Sequence, residues 1–255
     1  MTSVSRDCQL LAYAAVAFVL VACAGRPARQ GRGETVFLDE LAVRPTAKRS
    51  AVAGPFSASR TVALAKPCQL VDVRTVVPGI SMDLRYGTAA NVTGRPLYPA
   101  GMPCLLHRDT AAKLQNAQSM LRSQGYGLRI WDGYRPPEVQ QALYQAGAAT
   151  RMFLSPENAG WSRHCGGIAV DATLVDAEGR EQRMPTAFDA GLHHASSTYR
   201  GGDPVIARNL QILHQAMKQA GFEPAAAEWW HFDDGDYVRN PQPVVFGHEL
   251  GIPSP

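Results

Sequence analysis

A pair of adjacent glycines, Gly166 and Gly167, constrains the local fold of this chain more than any other feature of its sequence. Glycine pairs disfavour a continuous helix, so the residues around them, including His164, are predicted to form a loop. In residues 168–174, larger apolar side chains alternate with smaller ones, which indicates a β-strand. Asp171 lies on the small-residue face of that strand. The sequence therefore predicts a loop histidine followed, seven residues later, by a strand carboxylate.

A second group of chemically active side chains follows downstream, where Glu228 precedes His231 by three residues with two tryptophans between them. Together with His164 and Asp171, His231 makes a set of two histidines and one aspartate. Three protein ligands suit a catalytic zinc ion, which keeps a fourth position for water. Each piece taken alone also fits a structural role, since a histidine beside glycines is usually a loop residue and a glutamate near tryptophans is usually a paired core carboxylate.

The rest of the pattern predicts an α+β domain, with a mixed sheet and flanking helices, because helices and short strands alternate irregularly. A helix capped by Asp109 is predicted to end at Gly125, and a second helix to open at Asp203-Pro204 and end before Gly221. Between them we expect a strand over 128–131 and a helix that starts at Pro136-Pro137 and continues to about residue 144.

The N-terminus is predicted to be a targeting segment. Residues 10–22 are thirteen uncharged, mostly apolar residues, too few to span the roughly 30 Å of a bilayer core as a helix. The following Leu20-Val21-Ala22-Cys23 resembles the lipobox of bacterial lipoproteins; an ordinary signal peptide that contains a cysteine is the alternative. We therefore expect a signal peptide over 1–22, a lipidated Cys23 with a flexible tether over 23–65, and a folded domain over 66–255.

Charge and cysteine usage fit an exported, tethered protein. The net charge of +3 is too small to indicate nucleic-acid binding, and the tether accounts for it, because residues 24–60 hold seven basic and three acidic side chains. If Cys8 leaves with the signal peptide and Cys23 is acylated, three cysteines remain in an oxidising compartment. A disulfide between Cys68 and Cys104 is the favoured pairing, because Cys165 lies inside the histidine motif.

Several motifs along the chain, in the same order as in that family, resemble the D-alanyl-D-alanine dipeptidases of the VanX type. The resemblance extends from about residue 66 to about 240, and its motifs are Asp83-Leu84-Arg85-Tyr86-Gly87, Trp131-Asp132-Gly133-Tyr134-Arg135-Pro136, Ser162-x-His164-x-x-Gly167-x-Ala169-x-Asp171, Phe188-Asp189, His193-His194-Ala195 and Glu228-Trp229-Trp230-His231. It implies a zinc D-Ala-D-Ala metallopeptidase domain, α+β with a mixed, largely antiparallel sheet, that hydrolyses the free dipeptide D-Ala-D-Ala.

The resemblance also implies a role for each matching side chain. His164, Asp171 and His231 match the ligands of one Zn2+ ion, and Glu228 matches the general base. Arg135 matches an arginine that stabilises the oxyanion, for which a permanently charged, forked donor is well suited. The expected substrate-binding residues are Asp189 for the dipeptide's ammonium group, Ser162 and Tyr86 for its termini or backbone, and Trp229 for a methyl side chain.

The N-terminal lipobox sets this chain apart from the cytoplasmic resistance enzymes that it resembles. An envelope enzyme facing the periplasm would meet dipeptide from peptidoglycan turnover, which favours wall recycling or nutrient scavenging. Ala24 follows Cys23 in place of the Asp that signals inner-membrane retention, so outer-membrane anchoring is favoured. The alternatives are a D,D-carboxypeptidase acting on peptidoglycan stem peptides and a non-catalytic, wall-binding lipoprotein. The oligomeric state stays open.

Overall fold

The computed structural model describes residues 55–147, 153, 160–191, 195–238 and 243–255. The predicted signal peptide, Cys23 and most of the predicted tether lie outside the described residues, as do His193 and His194. In the part of the chain that is described, no helix is both long enough and apolar enough to cross a membrane.

Five strands form the central sheet of the domain, in the order β2-β4-β5-β7-β6, and two further strands, β1 and β3, pair with each other. β2 runs parallel to β4, whereas the pairs β4-β5, β5-β7 and β6-β7 are antiparallel. The predicted fold class, α+β with a mixed, largely antiparallel sheet, is therefore confirmed. The strands are β1 (Leu70–Asp72), β2 (Ser81–Met82), β3 (Leu105–His107), β4 (Tyr126–Asp132), β5 (Ala169–Asp176), β6 (Phe222–Pro224) and β7 (His231–Asp234).

Helices with apolar faces pack against this sheet. The described helices are α1 (Ala58–Ala65), α2 (Val73–Val76), α3 (Arg108–Arg122), α4 (Pro137–Gly147) and α5 (Pro204–Gln219). The main core contains Leu114 and Leu121 of α3 and Leu213 and Met217 of α5, all fully buried. Leu114 and Leu121 are seven residues apart and Leu213 and Met217 are four apart, which places each pair on one face of its helix, as predicted from the sequence.

The helix starts agree with the sequence prediction in one case and differ in another. The Asp203 side chain accepts hydrogen bonds from the backbone N–H groups at the start of α5, as predicted. In α3 the N-cap is His107 rather than Asp109, because the His107 ring accepts from the Asp109 backbone N–H and Asp109 lies inside the first turn. A carboxylate there still interacts favourably with the helix dipole.

The folded part of the chain begins earlier than the sequence boundary at residue 66. Residues 58–65, assigned to the tether, form α1, which is capped by the Ser57 hydroxyl and buries Thr61 and Ala65. The alanines in this stretch favour a helix, and its two buried side chains give that helix a packed face. The segment has few large apolar residues, so its composition alone did not predict the helix.

The predicted disulfide between Cys68 and Cys104 is wrong, because both side chains are free thiols. Cys68 precedes β1, whereas the Cys104 carbonyl accepts a hydrogen bond from the N–H of Val73, the residue that follows β1. Three strand residues span about 10 Å. That exceeds the roughly 7 Å that a disulfide allows between Cα atoms. The antiparallel register of β1 and β3 therefore keeps the two cysteines apart.

The glycine pair lies where the chain passes very close to neighbouring segments. Gly167 has a φ of 67°, and a Cβ added there would lie 2.6 Å from Leu70 Cδ2 and 3.0 Å from the His107 nitrogen. A Cβ on Gly166 would collide with the Pro243 backbone. Any larger side chain would displace this segment. The absence of side chains on these two glycines therefore allows the His164 turn to pack closely against its neighbours.

Candidate metal centre and active-site cavity

Three separate elements bring His164, Asp171 and His231 together. His164 lies in a short 3-10 turn, Arg163–Gly166, and its own backbone N–H donates to the capping Ser162 Oγ. Asp171 lies on β5, and His231 is the first residue of β7, directly opposite Asp171 in the antiparallel register. The β5-β7 ladder therefore places two of the three side chains, and the turn before β5 supplies the third.

The donor atoms of these side chains have the spacing of a metal site. His164 Nε2 lies 3.1 Å from His231 Nδ1, His231 Nδ1 lies 3.0 Å from Asp171 Oδ1, and His164 Nε2 lies 3.3 Å from Asp171 Oδ1. Ligands of a tetrahedral ion at bond lengths of about 2.0 Å are about 3.3 Å apart. Two histidine nitrogens and one carboxylate oxygen at these distances fit Zn2+ without rearrangement.

The outer nitrogen of each imidazole is held by an acceptor. His164 Nδ1 lies 2.7 Å from the Gly133 carbonyl oxygen, so this nitrogen carries the proton. His231 Nε2 lies 2.9 Å from Asp233 Oδ1. These contacts leave His164 Nε2 and His231 Nδ1 as the nitrogens turned toward the centre, the usual arrangement around a protein-bound metal. Sequence reasoning missed both acceptors; only the position of Asp233 two residues after His231 could have indicated one of them.

Electrostatics at the centre favour a positive charge. Burial opposes ionisation of Asp171, but His164 and His231 outweigh it and hold the pKa of this carboxyl well below its usual range. Burial likewise opposes charging of His231, yet its hydrogen bonds to Asp171 and Asp233 raise the pKa of the imidazole to about 10. A divalent cation supplies that charge and displaces the proton from the same atoms.

A cavity of about 310 Å³ opens beside the three donors. Its walls bring together eight of the nine side chains predicted to bind metal or substrate or to catalyse, and Trp229 is the exception. The predicted residues that line it are Tyr86, Arg135, Ser162, His164, Asp171, Asp189, Glu228 and His231.

Arg135 is rigidly held at the wall of this cavity. Its Nε donates to Asp132 Oδ2 at 2.8 Å, its Nη1 donates to Gln140 Oε1 at 2.8 Å, and its Nη2 lies 3.4 Å from Asp171 Oδ2. The guanidinium carbon lies 4.7 Å from the centre of the Tyr86 ring. A buried cation is thereby fixed next to the three donors by a carboxylate, an amide and an aromatic face.

Two carboxylates face the same space. Burial raises the pKa of Glu228, the direction expected for a carboxyl removed from water. Burial also raises the pKa of Asp189 to about 7, against the opposing effects of the Val92 N–H and Arg135. Asp189 adopts a left-handed φ of 56°, and its oxygens lie 3.2 Å from the Val92 nitrogen and 3.4 Å from the Tyr86 hydroxyl.

Comparison with known proteins identifies the family. The model of the Peptidase M15 family, described as D-ala-D-ala dipeptidase, matches residues 66–246. The chain belongs to this family. It is 35% identical over 166 residues to the D-alanyl-D-alanine dipeptidase of Escherichia coli K12, covering 65% of this chain and 84% of that one. It is 30% identical over 178 residues to the D-alanyl-D-alanine dipeptidase of Enterococcus faecium, covering 62% of this chain and 87% of that one.

Among solved structures, this M15 peptidase matches a vancomycin-resistance D,D-pentapeptidase, VanY, in complex with Zn(II). The match has a TM-score of 0.34 and 19% identity, and it covers 55% of this chain and 78% of that chain. The predicted membership of the D-Ala-D-Ala peptidases, and with it the peptidase class of enzyme, is confirmed by the family match.

The structure corrects one predicted substrate contact of this M15 peptidase. Trp229 is fully buried and lies outside the cavity lining, with its ring packed against Trp131 and its Nε1 donating to Thr186 Oγ1 at 2.9 Å. Trp230 lines the cavity instead. The chain turns at these two residues just before β7, so adjacent side chains point to different sides, and the sequence does not show which.

Cys165, next to a donor histidine, is a structural thiol in this M15 peptidase. It is fully buried, and burial raises its pKa to about 12. A thiol that stays protonated and inaccessible is neither a good nucleophile nor a competing metal ligand.

Proposed function

We propose that this M15 peptidase is a zinc enzyme that hydrolyses D-Ala-D-Ala to two molecules of D-alanine in the cell envelope. The observation that carries the proposal is the triangle of donors, His164 Nε2, Asp171 Oδ1 and His231 Nδ1, 3.0–3.3 Å apart in a cavity that also contains Glu228. The names of its relatives from Escherichia coli and Enterococcus faecium support the dipeptide as substrate.

The residues around the cavity divide the chemistry between them. Zn2+ held by the three donors would acidify a water molecule and polarise the carbonyl of the scissile peptide. Glu228 takes a proton from the attacking water as the water oxygen bonds to the carbonyl carbon. Glu228 then gives that proton to the leaving amine as the C–N bond breaks. Burial raises the pKa of Glu228, which makes its carboxylate a stronger base than a solvated one and so suits a group that must accept a proton and then release it.

Arg135 is suited to stabilise the negative charge that develops on the carbonyl oxygen. Its contacts with Asp132, Gln140 and Tyr86 fix the guanidinium before substrate arrives, so little reorganisation is needed during the reaction. An arginine that is 5% exposed also stays charged and poorly screened by water.

Asp189 is the group suited to the substrate's free ammonium. The Val92 N–H and the Tyr86 hydroxyl hold its carboxylate in the cavity wall, and the ammonium would supply the charge partner that burial demands. Tyr86 and Ser162 are proposed to border the substrate's backbone, and Trp230 to contact a methyl side chain in place of Trp229.

The buried carboxylate also separates the dipeptidase from its main alternative. A D,D-carboxypeptidase acting on a stem peptide would place a neutral amide where a dipeptide has its ammonium, leaving Asp189 buried without a charged partner. A non-catalytic, wall-binding lipoprotein would need neither the buried Glu228 nor the fixed Arg135. The buried Asp189 carboxylate therefore supports the dipeptidase over the carboxypeptidase, and Glu228 with Arg135 supports it over the binding protein.

An assay of product release tests the proposed reaction. The zinc-loaded protein should release D-alanine from D-Ala-D-Ala and leave L-Ala-L-Ala intact, and the Glu228→Gln variant should bind zinc equally and release almost none. Equal cleavage by the variant would refute the role of Glu228. Cleavage of a stem pentapeptide in preference to the dipeptide would move the assignment to a D,D-carboxypeptidase.

The envelope location is a separate part of the proposal and has its own test. The lipobox at Leu20–Cys23 supports attachment by lipid, with the outer membrane favoured by Ala24. The wild-type protein, expressed in a Gram-negative host, should fractionate with outer membranes, and Cys23→Ser should prevent lipidation and release a soluble periplasmic form or leave an uncleaved precursor. Identical processing and fractionation of the two proteins would contradict lipidation.

A further inference from the structure

We propose that Arg163 and Asp233 form an ion pair that clamps the two histidine-bearing segments of the metal centre, and that both are positioning residues for metal binding. The inference rests on the metal centre of the proposed function. It concerns residues next to the predicted ligands that the sequence motifs left without a role.

Asp233 connects one ligand to the clamp through its two oxygens. Oδ1 accepts from His231 Nε2 at 2.9 Å, and Oδ2 accepts from Arg163 Nη1 at 3.2 Å. His231 and Asp233 are two residues apart on β7 and therefore share a face of the strand, so the carboxylate reaches the imidazole without distorting the ladder. With both oxygens engaged, the carboxylate has a fixed orientation, and the imidazole it holds is fixed with it.

Arg163 connects the other ligand. It directly precedes His164 in the 3-10 turn, and its Nη2 donates to the Val238 carbonyl at 3.3 Å while Nη1 binds Asp233. The side chains of Arg163 and Asp233 are 31% and 18% exposed, so water screens this pair less than a fully exposed one.

The clamp complements the β5-β7 ladder. That ladder sets Asp171 opposite His231, and the Arg163–Asp233 pair adds a direct connection between the turn that carries His164 and the strand that carries His231. A donor triangle with sides of 3.0–3.3 Å needs both histidines fixed to within a fraction of an ångström. Loosening the clamp should therefore weaken metal binding before it affects the fold.

Zinc affinity measured by competition with a chromophoric chelator tests the clamp on the full-length protein. Outer contacts of metal-bound histidines are typically worth about 10- to 100-fold in affinity. We expect Asp233→Ala to weaken zinc binding within that range and Arg163→Gln to weaken it by about tenfold. The double variant should bind no more weakly than Asp233→Ala alone, because Arg163 acts through Asp233.

Matched variants and a second measurement separate the clamp from general destabilisation. Arg180→Gln removes an exposed arginine that pairs with Asp176 at 2.8 Å and should leave zinc affinity unchanged. Arg163→Lys keeps the charge and should recover part of the affinity lost in Arg163→Gln. If Asp233→Ala does not fold, the partly exposed Arg163 variants still test the clamp, with circular dichroism of the metal-free proteins confirming their folds.

The outcomes distinguish the clamp from the metal centre on which it rests. If the wild-type protein binds no zinc, the metal centre of the proposed function is wrong. If the wild type binds zinc and the Arg163 and Asp233 variants bind it equally well, the metal centre stands and the clamp is wrong. Fully additive losses in the double variant, or a change in KM alone for Arg163→Gln, would also overturn the clamp.

Discussion

Replacing Asp189 with asparagine is the perturbation that separates dipeptide recognition from the rest of the chemistry. The substitution removes a charge while keeping nearly the same shape and the acceptor for the Val92 N–H. It leaves the three metal donors and Glu228 untouched. If Asp189 binds the substrate's ammonium group, the variant should lose activity only on substrates that carry a free ammonium group.

The structure sets the size of the expected effect. Burial raises the pKa of Asp189 from 3.8 to about 7, a difference equivalent to about 4 kcal/mol, which a bound ammonium would offset by pairing with the ionised form. Leaving a substrate charge unpaired in a buried site costs about 2–4 kcal/mol. We therefore expect kcat/KM for D-Ala-D-Ala to fall by about 30- to 1000-fold in Asp189→Asn.

The same residue predicts a dependence on pH. Only ionised Asp189 pairs with ammonium, and because its pKa is raised, the carboxyl becomes neutral as the pH falls through about 7. Activity on the dipeptide should decline on the acidic side of that value. A metal cation bound nearby lowers the pKa of Asp189, so about pH 7 is the upper bound for this acidic limb of the pH–activity profile. Asp189→Asn should lose this limb and retain the one due to Glu228.

The assay is a continuous measurement of D-alanine release from D-Ala-D-Ala and from N-acetyl-D-Ala-D-Ala, which lacks the ammonium. Asp189→Asn should lower kcat/KM for the first substrate and leave the second unchanged or improved. A loss of less than tenfold on the dipeptide, or equal losses on both substrates, would refute the reasoning and favour an enzyme with an open amino-terminal side.

Three further predictions follow from the same structure. Removing the metal with a chelator should abolish activity and lower the unfolding free energy by about 2.7 kcal/mol relative to zinc at 100 times its Kd, and zinc should restore both; unchanged unfolding would contradict the site. Asp234→Ala should lower the free energy of unfolding, measured in urea, by about 2–4 kcal/mol, because Thr110 and Lys113 bond to this buried carboxylate. A loss below about 1 kcal/mol would contradict that role for Asp234. In the native protein Cys165 should react with an aromatic disulfide reagent far more slowly than Cys68, since burial raises its pKa to about 12; equal rates would show that the site opens.

Local patterns predicted most of the secondary structure and the residues at the site. The predicted strand over 128–131 lies inside β4, and the predicted strand over 168–174 corresponds to β5, Ala169–Asp176. These predictions succeed because alternation, capping residues and glycines act over a few neighbouring residues. The glycine pair further predicted a loop in place of a continuous helix. In the structure, Gly166 and Gly167 are in close contact with neighbouring segments.

Features that depend on strand pairing were beyond the sequence. The register that sets Asp171 opposite His231 gives the donors their spacing, and the register of β1 and β3 separates Cys68 from Cys104. Neither register is encoded in the local pattern. The turn before β7 similarly decides that Trp230, and not Trp229, lines the cavity.

The central claim is that this M15 peptidase uses a bound zinc ion and Glu228 to cleave D-Ala-D-Ala. The most direct test is D-alanine release by the zinc-loaded protein from D-Ala-D-Ala, L-Ala-L-Ala and a stem pentapeptide ending in D-Ala-D-Ala, with Glu228→Ala as control. The account predicts zinc-dependent cleavage of D-Ala-D-Ala alone, lost in the variant. Absence of zinc-dependent cleavage, or preference for the pentapeptide, would contradict it.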